Sequence, residues 1–314
     1  MKSVNPTAKK GKPSSLLLHV KGSWQLYIML LLPLTYLLVF CYYPMFGVQI
    51  AFKDYTPRLG IWGSEFVGLK HFEKFVTSYN FWPIIQNTLV LAAYSILAMI
   101  PIPIVLALSL NAVKAKYFKK SVQLLTYMPN FISTVVMVGM LKQILHPQIG
   151  LVAAIGGVFG FEVADPFGSA GAFSHLYTWG RVWQKMGWSS IIYLAALSAV
   201  DPAQHEAAVV DGASRFQRIR YVDLPVIIPT VVINTVLNMG QIMSIGFERI
   251  FLMQTDLNIA ASEIVSTYVY KIGFTGIPDY SYSTAINLFN SVINLVLILF
   301  ANKLGKKISG TGLF

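Results

Sequence analysis

The sequence predicts an all-α integral membrane protein with six transmembrane helices and cytoplasmic N- and C-termini. Three observations carry this. The 314 residues are 55% hydrophobic and only 12% charged, with mean hydropathy +0.60, whereas soluble domains carry about 25% charge. Six apolar stretches reach the ~20 residues that a helix needs to cross a bilayer. The basic residues are also distributed unevenly among the loops between them.

The first stretch, Trp24–Tyr43, follows a polar, basic segment, 1–23. A signal peptide has a shorter apolar core and a small-residue cleavage site. Cys41-Tyr42-Tyr43-Pro44 offers no such site, so the stretch reads as a retained first span. The second, Trp82–Leu110, contains Pro101 and Pro103, which predict a kink or a tilt. Pro129 predicts the same in the third, Val122–Leu145. Such breaks are tolerated only where neighbouring helices or a cavity satisfy the freed backbone groups. Thr178–Val200, Val226–Gly246 and Tyr282–Lys303 complete the set. Trp24, Trp82, Trp179 and Trp183 fall at span ends, as an aromatic belt requires.

Orientation follows from Lys and Arg. With the N-terminus inside, 15 of the 24 basic residues are cytoplasmic. They comprise five lysines before span one, then Lys114, Lys116, Lys119 and Lys120, then Arg215, Arg218 and Arg220, and finally Lys303, Lys306 and Lys307. Only Asp201, Glu206, Asp211 and Asp223 oppose them inside. This is the positive-inside pattern. Three long loops face outward: Phe46–Phe81, His146–Tyr177 and Phe247–Ser281. Within the second, Ile149–Phe161 is too short to cross and reads as an interfacial or re-entrant helix. No internal repeat or linker is visible. Residues 24–304 form one membrane domain between the cytoplasmic segment 1–23 and a cytoplasmic tail, 305–314.

Several function classes are excluded. The net charge of +11 is split into short groups rather than one basic patch with interleaved aromatics, so it does not indicate nucleic acid. The lone Cys41 cannot form an intrachain disulfide, and the five histidines have no metal-ligand spacing. An intramembrane enzyme needs paired carboxylates, a Ser-Lys or Ser-His set, or a metal site. No Asp or Glu lies well inside a span, and there is no HExxH.

The most informative segment is the loop 201–225. Asp201 and Pro202 suit a helix start, and Gln204 predicts a capping box. Ala203, Ala207 and Ala208 make a slim helix behind Glu206, and Gly212 permits a sharp turn. Leu224-Pro225 then opens the fifth span. A bare Glu-Ala-Ala is an ordinary solvated helical turn. The longer pattern, with Gly212 six residues after Glu206 and Leu224-Pro225 at the next span, is far more specific.

With that pattern the chain resembles the permease subunits of binding-protein-dependent ABC importers, whose EAA loop has this form. More narrowly, it resembles the LplB-type permeases of the oligosaccharide-uptake class. The resemblance covers nearly the whole chain. It includes Ile50-Ala51-Phe52-Lys53-Asp54, Phe66-Val67-Gly68-Leu69, Asn87-Thr88, Gln123-Leu124-Leu125-Thr126-Tyr127-Met128-Pro129 and Phe131-Ile132-Ser133. It continues through Ser266-Thr267-Tyr268-Val269-Tyr270 and Tyr280-Ser281-Tyr282-Ser283-Thr284-Ala285. Ser266 departs from the Asp expected in relatives, which puts outer-loop pairing in question. The resemblance implies a type I ABC importer permease fold in a bacterial cytoplasmic membrane. It implies a second permease subunit, a different chain, and two ATPase subunits gripping the EAA helices. It also implies an extracellular or periplasmic solute-binding protein that delivers an oligosaccharide. Glu206, Ala207, Ala208, Asp211, Gly212 and Pro225 then become the ATPase-coupling residues. The chain has no G-x-x-x-x-G-K-[ST] phosphate loop, so it binds no cofactor itself. ATP and Mg belong to the partner ATPase.

Polar residues inside spans usually face the bundle interior. Asn234, Asn238, Gln241 and Ile245 follow helical spacing in the fifth span, and Asn287, Asn290 and Asn294 do so in the sixth. Asn87, Tyr94, Tyr127, Asn130 and Glu248 extend the candidate pathway. Amides and aromatics suit a sugar. The alternative is helix packing, where such amides contribute roughly 0.6 kcal/mol each. Arg181 and Lys185 lie four apart. They read as cations that snorkel to lipid headgroups, or, if they point inward, as contacts for an acidic sugar such as a uronate. Glu248 and Arg249 either pair or meet the substrate or binding protein. Two functional alternatives remain open on sequence: an importer permease for a non-sugar solute, and an ATP-independent channel.

Overall fold

The structure is a computed structural model and describes residues 23–160, 162 and 164–310. The basic segment 1–22 and residues 311–314 of the expected tail lie outside the described residues. α1 runs from Trp24 to Phe52, through a π-helical turn at Leu38–Tyr42 and into a 3-10 stretch from Tyr43. None of Trp24–Leu37 is buried. A two-stranded antiparallel sheet follows, β1 (Lys53–Asp54) against β2 (Glu65–Phe66), with Lys53 opposite Phe66. α2 (Lys70–Val76) leads into α3 (Phe81–Ala112), which changes segment at Ile100, just before Pro101.

The expected third span is not one helix. α4 (Lys116–Tyr127) tightens into a 3-10 turn over Met128–Phe131, and α5 (Thr134–Ile144) departs at 104°. The cause is local. Pro129 cannot donate to the helix ladder, and Ser133 restarts the chain as a cap, accepting from the Val136 N–H at 3.3 Å. α6 (Leu151–Phe159) is a separate short helix, stopped by Gly160 at φ +75°. α7 (Ala170–Leu197) is 28 residues long and begins eight residues before the expected fourth span.

α8 (Pro202–Val210) is the short helix of the central loop, and α9 extends from Arg215 to Met239. The expected fifth span therefore starts earlier and stops earlier. Beyond Gly240 the chain makes a 3-10 turn, Ile242–Ser244, and turns at Gly246, φ +60°. α10 (Phe247–Met253), α11 (Val265–Phe274) and α12 (Tyr280–Ser309) follow. α12 runs without a break through the start of the expected tail. Among the described residues, α1, α3, α9 and α12 are long and apolar enough to cross a membrane, and the bent α4–α5 pair makes a fifth. α7 has the length but carries Arg181, Gln184 and Lys185 within it.

α7 packs along the second half of α3, and α12 packs against α9, α11 and the end of α1. A core at the loop-rich end gathers Phe75, Phe81, Tyr282 and Phe289, with Phe75 edge-on to the other three rings. A smaller core of Ala107, Tyr193, Leu197 and Ile227 sits toward α8. Gly187 is where α7 meets α4 most closely, because a Cβ there would overlap the Thr126 carbonyl.

Candidate functional site

α8 is exposed: none of its residues is buried. Asp201 caps it, accepting from the Ala203 N–H at 3.0 Å with Pro202 in the first turn. The expected reciprocal bond from Gln204 is not what forms. The capping box occurs at the next helix start, where Ser214 Oγ accepts from Gln217 N–H at 3.3 Å and Gln217 Oε1 accepts from Ser214 N–H at 2.7 Å. Asp and Gln at Ncap and N3 fit the pattern by type, but Asp201 spends its oxygen on the closer Ala203 N–H.

The far end of α8 closes with a Schellman motif. Gly212 N–H donates to Val209 O at 3.0 Å, and Ala213 N–H donates to Ala208 O at 2.9 Å. Gly212 sits at φ +76°, and a Cβ there would meet no atom within 4 Å. Glycine is required here by backbone conformation alone. Glu206, Ala207 and Asp211 are exposed, Ala208 is half-buried, and Pro225 is exposed at the start of the regular part of α9. The six residues line one elbow, with a carboxylate outward. Beneath it lies a cleft of about 500 Å³ lined by Lys114, His205, Glu206, Arg215, Arg218 and Asp223 among others.

The candidate pathway residues do not all converge. Asn234 and Asn238 lie on α9 and line one narrow cavity of about 20 Å³ with Ser95, Tyr193 and Arg181. Asn234 donates to Tyr193 OH at 3.2 Å. Gln241 and Ile245 lie beyond the end of α9, so the expected stripe holds for two amides and not three. Gln241 is exposed and Ile245 is buried. Asn290 and Asn294 donate to Ser244 Oγ at 3.4 and 3.2 Å, and Asn294 Oδ1 accepts from Met243 N–H at 3.0 Å. They tie α12 to the broken end of the fifth span. Asn287 lines a different cavity, beside Val48 and Phe274. Asn87 donates to the carbonyls of Ala260 and Glu263 at 2.9 and 3.1 Å. Tyr94 OH lies 2.9 Å from His175 Nδ1 and accepts from Trp179 Nε1 at 3.0 Å. Tyr127 is half-buried near the α4–α5 break.

The cations turn inward. Lys185 Nζ donates to Asn130 Oδ1 at 2.9 Å, so it does not extend to lipid headgroups. Arg181, Lys185 and Arg249 share a cavity of about 270 Å³ with Tyr177, Glu248 and Thr134. Arg181 also borders the amide-lined cavity, so one side chain stands between the two. Arg249 is only 6% exposed. It donates to Gln184 Oε1, and Gln184 Nε2 donates to Ile132 O at 2.7 Å, a carbonyl released by the α4–α5 break. Glu248 makes no ion pair with Arg249 among the described residues. Sequence spacing found Arg181 and Lys185 on one face. It gave Arg249 only a generic partner because α10 is separated from α9 by two turns.

Two further features were invisible in the sequence. Asn258 is fully buried with both amide ends used. It donates to Phe167 O at 2.9 Å and Met253 O at 3.0 Å, and accepts from Thr255 N–H at 3.0 Å and Ser262 Oγ at 2.8 Å. Asp223, expected as a loop acid, is 4% exposed and lies 3.1 Å from His205 Nε2.

Comparison with known proteins places this architecture. The model of the family described as "binding-protein-dependent transport system inner membrane component" matches residues 99–310. The chain is 38% identical to protein LplB of Bacillus subtilis over 309 residues, covering 98% of this chain and 97% of that one. It is 41% identical to the polygalacturonan/rhamnogalacturonan transport system permease protein YteP of the same organism, covering 98% and 95%. A chain of a bacterial alginate ABC transporter, crystallised in complex with an alginate pentasaccharide-bound periplasmic protein, superposes with a TM-score of 0.87 at 37% identity. That match covers 95% of this chain and 99% of that chain. The chain belongs to the binding-protein-dependent transport system inner membrane components, the permease subunits of ABC importers.

Proposed function

We propose that this permease carries acidic oligosaccharides, delivered by an extracellular binding protein, through a pathway it shares with a second permease chain. The α4–α5 pair serves as the third span and α7 as the fourth, giving six crossings with both termini in the cytoplasm. The elbow at 201–225 then faces the cytoplasm, where two ATPase subunits grip α8. ATP and Mg stay on those subunits. Glu206 is free to make charge-assisted contacts with them, which are roughly twice as strong as neutral ones.

The observation that carries the substrate class is the convergence of Arg181, Lys185 and Arg249 on one cavity, with Arg181 also bordering the Asn234–Asn238 cavity. Arg249 is buried with no carboxylate partner among the described residues, the half-buried Arg181 and Lys185 stand beside it, and a uronate carboxylate supplies the missing charge. A relative named for polygalacturonan/rhamnogalacturonan and a structural neighbour named for alginate support the same reading.

The test is ATPase activity of the reconstituted complex with its binding protein, against acidic and neutral oligosaccharides. Each cation–carboxylate hydrogen bond contributes about 1.5–3 kcal/mol, so Arg181→Gln with Lys185→Gln should weaken the acidic response at least ~10-fold. The neutral response should change little. Equal loss of both, or a wild-type complex that answers only neutral sugars, would refute the substrate class.

A further inference from the structure

We propose that His205 and Asp223 form the latch that carries movement of α8 into the pathway helix α9. The inference rests on the reading that ATPase subunits grip α8, and adds how the pull leaves it.

α8 has no buried residue, so packing does not fix it to the bundle. Its two joints are compliant or local. Gly212 occupies open space at φ +76°, and the Asp201 cap bonds only within its own turn. A pull on such a helix is absorbed at the joints unless a side chain ties it across. His205 is that side chain. It precedes Glu206, lines the same cleft, and brings Nε2 to 3.1 Å from Asp223 Oδ1. The ring nitrogen approaches off the line of an aligned hydrogen bond, and Oδ1 has no other partner among the described residues. The tie is therefore an electrostatic contact held by position.

The far end of the tie is rigid. Asp223 is 96% buried, closes the π-helical turn Ile219–Asp223, and leads directly into Leu224-Pro225. On the same rod, Asn234 and Asn238 face the amide-lined cavity, roughly 16 and 22 Å further along at 1.5 Å per residue. A displacement applied at Asp223 reaches the pathway lining through one continuous helix. Lys114, Arg215, Arg218 and Glu206 also face this cleft. They surround the pair with charge, but none is ion-paired to Asp223 among the described residues.

The experiment measures sugar uptake and ATPase rate in parallel on complexes shown to be assembled, with a uronate oligosaccharide and the binding protein. Asp223→Asn is the primary variant because it leaves the exposed face of α8 untouched. Uptake should fall at least tenfold while ATPase stays within twofold. His205→Ala should do the same, and His205→Gln, which keeps a donor of similar reach, should recover at least half of uptake. Normal uptake in Asp223→Asn would overturn the latch, as would parallel loss of uptake and ATPase in it. A wild-type chain that fails to co-purify with an ATPase subunit would instead overturn the gripping reading.

Discussion

Gly212 offers the sharpest test of the elbow, because the structure separates its conformational role from any contact role. The turn after α8 rests on two backbone hydrogen bonds, each contributing about 1 kcal/mol net. Alanine at φ +76° costs about 1–2 kcal/mol from the left-handed conformation alone, and its Cβ touches nothing within 4 Å. That cost cancels most of the turn's own stability, so uptake should fall several-fold to tenfold. Asparagine tolerates this region better than other residues, so Gly212→Asn should be milder than Gly212→Ala. Proline fixes φ near −65° and has no N–H. It removes the bond to Val209 and forbids the turn, so uptake should fall at least ~100-fold, the equivalent of about 3 kcal/mol. The assay is uptake by the reconstituted complex, with ATPase rate and assembly checked on each variant. The expected order is Gly, Asn, Ala, Pro. Normal uptake with proline would refute the reasoning. Asparagine worse than alanine would also refute it, since that order follows the bulk added and signals a contact at Gly212 rather than a backbone demand.

Two other outcomes are expected. Asn258→Ala removes four hydrogen bonds from a fully buried site and should destabilise the purified protein by about 3 kcal/mol or more, read by denaturant or thermal unfolding. A loss below about 1 kcal/mol would show that the loop reorganises freely. At the opposite end of the bundle, Asp54 accepts from Lys70 at 2.6 Å and lies 3.0 Å from His71 Nε2. The Lys70 hydrogen bond, opposed by partial burial and helped by the charges of Lys70 and His71, holds the Asp54 carboxyl below its ordinary value. A carboxyl depressed in the folded state stabilises at pH above its unfolded value and loses that contribution as pH falls through the folded one. Asp54→Asn should therefore lower the unfolding temperature at neutral pH, and the gap to wild type should close as pH falls below the ordinary carboxylate range. A gap independent of pH would rule out this ion pair as its source.

The parts of the fold that depend on local chemistry were legible in the sequence. The elbow was read from Asp201-Pro202, Gly212 and Pro225, because caps, left-handed turns and proline act over a few residues. The break at Pro129 was anticipated as a kink. It became a 104° corner because Ser133 restarts the helix, which a count of apolar residues does not weigh. The same limit explains the fifth span. Helical spacing extended the amide stripe to Gln241 and Ile245, but the chain leaves the helix after Met239, where a Cβ at Gly240 would press on Ile298.

What the sequence concealed is what tertiary contact alone decides. Asn290 and Asn294 look like pathway amides in a stripe, yet their donors go to the Ser244 hydroxyl, and Asn294 Oδ1 takes the Met243 N–H that the broken end of α9 leaves free. The same demand binds Gln184 to Ile132 at the other break, and that bond is what positions Gln184 to hold Arg249. At each break one amide meets a backbone group, Asn294 at Met243 and Gln184 at Ile132, while Asn234 and Asn238 line the narrow cavity. A buried unpaired backbone group costs several kcal/mol in an apolar setting, which is why Asn294 and Gln184 are held at the breaks. Arg181 borders both cavities, and on the proposed reading it is the residue whose substitution should most change what passes.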